Sequence, residues 1–506
     1  MTNAATYFVD RHLHEGRADK IAFREAGSGR TITYGTLSEQ TGRVAAAFAA
    51  HGIRAEERAA LLVHDTIEFP QLFWGALKAG VIPVPLNTLL ATPVYDVILR
   101  DSRAAILFVS AALWEVVRPA VEASPYLRKV FVIGEVPGQP DFDAFLGEAA
   151  PVAAFEASAD EAAFWLYSSG STGAPKGVVH VHGALQATAD TYGAQVLGIR
   201  AEDTIFSAAK FFFAYGLGNA MTFPMSVGAT VVLFAGRPTP EDMAQVLADE
   251  APTIFCGVPT LYAAMVAHFD RSGPPSAPLR LCISAGEALP EDVGSRWQAH
   301  TGVEILDGVG STEMLHIFLS NTPGDVVYGT SGTPVPGYEM RLVGEDGDDV
   351  PQGEVGELLV RGDSAAACYW NKRGKSRGTF EGVWTRTGDK YEQRADGRYV
   401  YCGRTDDMFK VSGIWVSPFE VESAIVSHPA VLEAAVVAAC DADGLEKPKA
   451  FVVLSGDKPA GFEAGLQEMV KDKIGKWKYP RWIEVAEDLP KTATGKIQRF
   501  KLREGA

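Results

Sequence analysis

Residues 164–182 read Phe164-Trp165-Leu166-Tyr167-Ser168-Ser169-Gly170-Ser171-Thr172-Gly173-Ala174-Pro175-Lys176-Gly177-Val178-Val179-His180-Val181-His182. The apolar runs FWLY and VVHVH have strand composition, and a Gly/Ser/Thr loop ending in a lysine joins them. Glycines let backbone approach a ligand closely, hydroxyls and amides donate to phosphate oxygens, and Lys176 adds a positive charge. The stretch is a candidate phosphate cradle. It departs from the usual P-loop, which places Gly directly before the lysine and a hydroxyl after it, because here Pro175 precedes Lys176 and Gly177 follows. A Gly/Ser loop on its own reads equally well as a linker, so the cradle needs partners elsewhere in the chain.

Outward from this hairpin, short apolar runs alternate with helical patterns. RTITYGTL, RAALLVH, AAILFVS and KVFVIG before it, and ATVVLFA, PTIFCGV and LRLCISAG after it, read as strands. Between them, Tyr34 to His51 and Thr239 to Asp249 carry apolar residues at helical spacing. Such alternation predicts an α/β fold of parallel-rich sheets flanked by helices. Strands apolar almost throughout belong in sheets buried on both faces. From about Gly329 the texture changes to Gly- and Pro-punctuated strands, GTPVPGYEMRLV, GEVGELLVRG and GRYVYCGR, and from about Thr405 it returns to mixed α/β. The expected organisation is a large N-terminal domain over 1–404, with a β-rich subdomain over 329–404, and a small α+β C-terminal domain over 405–506.

Composition sets the class. The 506 residues are 47 % hydrophobic and 22 % charged, with a net charge of −17, which is a globular balance rather than a disordered one. An acidic chain lacks the basic surface that generic nucleic-acid or anionic-membrane binding requires. The first twenty residues carry charges where a secretory signal needs an apolar run, and the most apolar window, Ala104 to Trp114, is too short to cross a bilayer. A cytoplasmic protein is expected. Cys256, Cys282, Cys368, Cys402 and Cys440 are scattered and never in CxxC spacing, so neither a disulfide framework nor a zinc site is indicated. Residues 471–506 hold ten Lys/Arg against five Asp/Glu, either a solvated face or a surface that meets phosphates.

The partners of the cradle follow it in order: SAGEALP at 284–290, GSTE at 310–313, TRTGD at 385–389, GRTDDMFKVSGIWVSPFEVE at 403–422 and PKTATGK at 490–496. With these motifs, spread over about two thirds of the chain, the sequence resembles the adenylate-forming superfamily of acyl-CoA synthetases, peptide-synthetase adenylation domains and firefly luciferase. The resemblance implies a two-step reaction. A carboxylate attacks the α-phosphate of ATP to give acyl-AMP and pyrophosphate, and a thiol then takes the acyl group and expels AMP.

The same resemblance distributes the roles. Ser168, Ser169, Ser171, Thr172 and Lys176 would hold the phosphates, and Glu313 beside Thr312 would, with Thr172, supply hard oxygens to Mg²⁺. Ala285, Gly286, Glu287, Asp307 and Gly308 would wall the adenine, Asp389 would accept the ribose hydroxyls, and Arg404 would contact ribose or phosphate. Val309 stands where many members carry an aromatic residue, so adenine must rely on other walls. Lys496 would bridge the attacking carboxylate and the α-phosphate, neutralising charge that builds in the transition state. The small C-terminal domain would be mobile, turning about a hinge at Asp406 to bring Gly413 and Trp415 to the pantetheine of coenzyme A. Lys476, Lys478 and Arg481 could meet its nucleotide phosphates. A lysine that must move between domains is also reachable by a lysine acetyltransferase and deacetylase, and acetylation of Lys496 would erase its charge.

The acyl pocket is expected in KFFFAYGLGN, where Phe213, Ala214, Tyr215 and Gly216 make a flat apolar slot suited to a ring, with Phe213 as its gate. Val309, Gly310, Leu315, His316, Ile317 and Phe318 would close the other side, with His316 either a satisfied structural residue or a partner for a ring substituent or carboxylate. FFFAYGLGN together with DGVGSTEMLHIF resembles the benzoate-CoA ligase branch, which implies a small aromatic carboxylic acid, ATP, Mg²⁺ and coenzyme A. An acyl-AMP ligase delivering to a carrier protein is the alternative enzyme. A non-catalytic binding module would have lost Lys496, Glu313 or the hydroxyl loop, and all three are present.

Overall fold

The computed structural model describes residues 3–169, 175–405, 407–411, 414–441, 445–491 and 497–503. The chain divides into two compact units, Met1–Met340 with Val360–Thr385, and Arg341–Leu359 with Arg386–Ala506.

Two parallel sheets dominate the first unit. In the smaller, the strands Ile82–Pro85, Arg58–Leu62, Ile106–Ser110 and Lys129–Ile133 lie side by side, all parallel. Ile106–Ser110 is buried at every position, as its unbroken apolar sequence requires of a strand covered on both faces. The larger sheet has nine strands, and six consecutive ones are parallel: Ile21–Glu25, Thr230–Leu233, Thr204–Ser207, Ile254–Gly257, Leu281–Ser284 and Ile305–Gly310. Three antiparallel strands, Thr31–Thr33, Ile317–Ser320 and Thr333–Pro334, finish its two edges.

Local chemistry explains the boundaries. The run RTITYGTL begins as a strand but leaves it at Thr33, whose hydroxyl accepts the Thr36 N–H and starts the helix Tyr34–Ala50. Thr239 caps Pro240–Glu250 in the same way, with proline in the first turn where its missing N–H costs nothing. At the end of the stretch Lys210–Asn219, Gly218–Thr222 winds as a π-helix between two short α-helices, a distortion that sequence periodicity does not announce and that often marks functional ground.

The second unit carries the antiparallel strands Trp384–Gln393 and Tyr399–Arg404, of which the first begins in the other unit. Beyond them, Val431–Cys440 pairs antiparallel with Glu446–Leu454, which pairs parallel with Trp482–Val485. The helices Pro418–Val426 and Phe462–Ile474 bury Val421, Ile425, Leu466 and Val470 against Val436 and Val452. This is the α+β construction its mixed sequence texture predicts. Among the described residues, no helix is long and apolar enough to cross a membrane.

Beside the larger sheet, Trp297 on the helix Glu291–Thr301 is fully buried against the rings of Tyr262, Phe269 and Phe255 at 4.8, 5.6 and 6.0 Å. Replacing it with alanine removes that ring contact and leaves a cavity. Trp297→Ala is expected to cost about 3–5 kcal/mol, read as a lowered midpoint of the first unfolding transition in urea.

Candidate active site

The strands Ala162–Ser169 and Pro175–Val181 form an antiparallel hairpin in which Ser168 pairs with Lys176, and Cys368–Tyr369 adds a third strand. The Tyr167 hydroxyl donates to Asp101 at 2.7 Å and anchors the base of the hairpin. The third strand brings Tyr369 beside Lys176. Lys176 Nζ donates to Glu313 Oε1 at 3.1 Å and to the Tyr369 hydroxyl at 2.9 Å, while that hydroxyl donates to the same Glu313 oxygen at 2.8 Å. Burial alone would raise the Glu313 pKa, but the Lys176 charge and the hydrogen bonds from Tyr369 and Lys176 outweigh it and hold the carboxyl below its ordinary range. Tyr369 joins this cluster although sequence reading misses it, because strand pairing across some 190 residues brings it there.

The turn carrying Glu313 is braced on both sides. The Ala366 N–H donates to the Glu313 carbonyl at 2.8 Å, the Ser364 hydroxyl to the Met314 carbonyl at 2.7 Å, and the Met314 N–H to the Ser311 hydroxyl at 3.1 Å. Leu315 takes a left-handed conformation, φ +65°, to reverse the chain into the strand Ile317–Ser320, at a strain cost that this bracing sustains. On the hairpin, Ser168 Oγ is buried with no hydrogen-bond partner among the described residues. Ser171 and Thr172 lie outside the described residues, as do Asp406, Gly413, Lys496 and the side chains of Ser169 and Trp415.

At the ends of the neighbouring parallel strands, Ala285 is buried while Gly286 and Glu287 are exposed. The Asp307 carboxylate, expected on the adenine wall, accepts the Leu289 N–H at 3.2 Å and so also ties the SAGEALP loop to its strand. Burial pushes its pKa up to about 8, against a smaller lowering effect of the Leu289 N–H. Gly308 and Gly310 pair with Ser320 and Ile317, with Val309 half-buried between them.

The acyl segment is partly core. Phe211 is fully buried and stacks on Phe69 at 4.7 Å, Phe212 is buried, and of the three phenylalanines only Phe213 is half-exposed, at the start of the helix Ala214–Leu217. Ala214 is half-buried beside it. The Tyr215 hydroxyl faces inward, its one proton shared between the carbonyls of Ile283 at 2.9 Å and Gly257 at 3.0 Å. Its oxygen is thereby committed to the sheet ends. A Cβ on Gly216 would lie 2.1 Å from the Lys210 carbonyl oxygen, so no side chain fits there.

His316 proves buried, 3.3 Å from the Tyr215 carbonyl through Nε2, among the rings of Phe223, Tyr192 and Tyr215. Burial lowers its pKa to about 3, so the ring is neutral. Gly218 makes the room, since a Cβ there would come within 2.4 Å of the imidazole. Leu315, Ile317 and Phe318 are buried as well, Ile317 and Phe318 on opposite faces of their strand.

In the second unit, Arg404 donates to Asp389 at 2.9 Å and to the Thr387 carbonyl at 3.1 Å. The basic cluster is less uniform than its sequence suggests. Lys476 is exposed and Arg481 stacks over the Tyr479 ring at 3.6 Å, but Lys478 is held by both carboxylate oxygens of Glu420, at 2.7 and 2.8 Å.

A family model described as AMP-binding enzyme matches residues 10–370, and one described as AMP-binding enzyme C-terminal domain matches 420–496. The chain belongs to the AMP-binding enzymes. It is 53 % identical, over 99 % of its length and 94 % of the relative's, to a 4-hydroxybenzoate–CoA/benzoate–CoA ligase of Rhodopseudomonas palustris. To a benzoate–CoA ligase of Thauera aromatica it is 52 % identical, over 99 % and 95 % of the two chains. Among solved structures, a benzoate CoA ligase from Burkholderia xenovorans LB400 superposes with a TM-score of 0.91 at 49 % identity, covering 99 % of this chain and 100 % of that one. Membership of an AMP-binding family suits the hairpin, where an unpartnered buried hydroxyl, an ammonium and an ionised carboxylate suit a polyphosphate with its divalent cation.

Asp307 offers a test of the site's electrostatics. An unfolded aspartate ionises near its ordinary value, whereas the folded carboxyl holds its proton up to about 8. Between those values the native state binds more protons, so this residue's contribution to stability falls as pH rises. Asp307→Asn keeps an acceptor for Leu289. The variant should gain thermal stability relative to the parent between pH 5 and pH 9 in melting curves taken across that range.

Proposed function

We propose that this protein is an aryl-CoA ligase that uses ATP to activate benzoate or a small ring-substituted benzoate as the aryl adenylate, then transfers the acyl group to coenzyme A with release of AMP. The observation that carries the reading is the half-buried ion pair of Lys176 and Glu313, closed by the buried Tyr369 at the hairpin, in a chain that is about half identical to benzoate-CoA ligases over nearly its full length. Lys176 meets the β- and γ-phosphates, joined by Ser168, Ser169, Ser171 and Thr172. Glu313 and Thr172 hold Mg²⁺, which when bound offsets phosphate charge. Asp389 and Arg404 receive the ribose, while Ala285, Gly286, Glu287, Asp307 and Gly308 enclose the adenine.

Phe213, Ala214 and Tyr215 face Val309, Gly310, His316 and Ile317 around the ring of the acid. Tyr215 gives its hydroxyl to strand carbonyls and His316 is neutral, so the pocket selects by shape and lacks a countercharge for an α-ammonium group. That favours aryl acids over amino acids. Lys496 stabilises charge on the α-phosphate in the first step, and acetylation of it would halt that step. The C-terminal domain then turns at Asp406, presenting Gly413 and Trp415 to coenzyme A.

The test is a substrate panel. Purified protein with ATP, Mg²⁺ and coenzyme A receives benzoate, hydroxy-, amino- or fluorobenzoates, cinnamate, hexanoate or amino acids, and AMP and thioester are followed by mass spectrometry. Benzoyl-type thioesters with equimolar AMP are expected. AMP and pyrophosphate without a CoA product would sink the thiol assignment and redirect it to a carrier protein. For the CoA surface, Lys476→Ala with Arg481→Ala should raise KM for CoA about tenfold, on the strength of charge-assisted phosphate contacts, and leave KM for ATP unchanged. Lys478→Ala should mainly lower the melting temperature, because its charge is spent on Glu420. An unchanged KM for CoA in the double variant would remove both residues from that surface.

A further inference from the structure

His180 lies on the strand Pro175–Val181 that leaves the phosphate hairpin, and none of its surface is accessible. Its ring stacks on Phe164 with centroids 5.1 Å apart and planes 16° from parallel. Nε2 stands 2.8 Å from the carbonyl oxygen of Thr312. A carbonyl only accepts, so Nε2 carries the proton and Nδ1 presents a bare lone pair. Nδ1 meets no hydrogen-bond partner among the described residues. The ring therefore acts through a single donated bond, and that bond ends on the peptide joining Thr312 to Glu313.

Lys176 and His180 are four residues apart on one strand, and side chains alternate along a strand, so both point from the same face. From that face they grip successive residues of one turn: His180 the Thr312 carbonyl, Lys176 the Glu313 carboxylate. A carboxylate that must meet a metal-bound polyphosphate needs its backbone fixed as well as its charge balanced, and a rotation about the preceding peptide would swing it away. Lys176 can follow such a swing because its stem is flexible. A stacked imidazole cannot.

We propose that His180 is a positioning residue for the first half-reaction, fixing the peptide before Glu313 so that the carboxylate is presented to Mg²⁺-bound ATP. The assignment rests on the reading of Glu313 as the metal-nucleotide ligand, and the test separates the two. Equilibrium binding of ATP is measured by calorimetry on the full chain, with Mg²⁺ and with EDTA, for the parent, His180→Phe, His180→Gln and Glu313→Gln. Phenylalanine keeps the stacking and loses the donor, whereas glutamine carries an N–H at similar reach. His180→Phe is expected to weaken binding about tenfold with Mg²⁺, the worth of a buried hydrogen bond, and to leave binding in EDTA unchanged. His180→Gln is expected to recover most of the loss.

If Glu313→Gln weakens Mg²⁺-dependent binding while His180→Phe does not, the positioning role fails alone. If Glu313→Gln leaves that binding unaltered, the reading of Glu313 fails instead. His180→Gln as weak as His180→Phe would make the ring a packing element and overturn the proposal. A wild-type reading guards against a variant that does not fold: with ¹⁵N-labelled histidine, the His180 signal should report the Nε2–H tautomer, and an Nδ1–H tautomer would overturn the assignment.

Discussion

A carboxylate and an ammonium withdrawn together from water are costly to bury and costlier still to separate. In the N-terminal unit that pair is Glu313 with Lys176, and Tyr369 closes it by donating to the same carboxylate oxygen that the lysine reaches. Three distant stretches must come together for this to happen: a hairpin strand, a turn after a parallel strand, and a short added strand. The geometry around it follows. The Ala366 N–H and the Ser364 hydroxyl fasten the turn, His180 meets it from the hairpin, and Leu315 accepts a left-handed backbone so that the next strand can turn back.

What sequence reading reaches, and what it does not, follows from the range of each interaction. The alternation of strands and helices, the caps at Thr33 and Thr239, and the unbroken apolar strand Ile106–Ser110 are local properties written in adjacent residues. The motif residues Lys176 and Glu313 were legible through their family spacing. Tyr369 and His180 were not, because Tyr369 meets Lys176 and His180 meets Thr312 across more than a hundred residues, through contacts that neither periodicity nor a short motif encodes. Charge was equally opaque. Lys478 sits in a basic run, yet Glu420, more than fifty residues earlier, takes both of its useful contacts.

The acyl segment shows the same division. A short segment turning from strand to helix divides the faces of three consecutive phenylalanines: Phe211 and Phe212 go to the core, while Phe213, the expected gate of the slot, stays half-exposed. Tyr215 gives its hydroxyl to strand carbonyls and His316 gives Nε2 to a backbone carbonyl, which leaves His316 Nδ1 as the one polar ring atom of the pair without a partner among the described residues. Selectivity then falls to volume and contour, a regime in which a methylene or a hydroxyl alters preference by only about 1–3 kcal/mol.

The larger sheet also constrains the order in which the protein can be made. Its strand Ile21–Glu25 is parallel to Thr230–Leu233, about two hundred residues later in synthesis. At ribosomal rates of roughly 5–20 residues per second, that early strand waits on the order of ten to forty seconds for its inner neighbour. The smaller sheet, contained between Arg58 and Ile133, is complete well before then. Until then a half-made chain carries a strand edge whose backbone groups await their neighbour, open to pairing with another chain of the same kind.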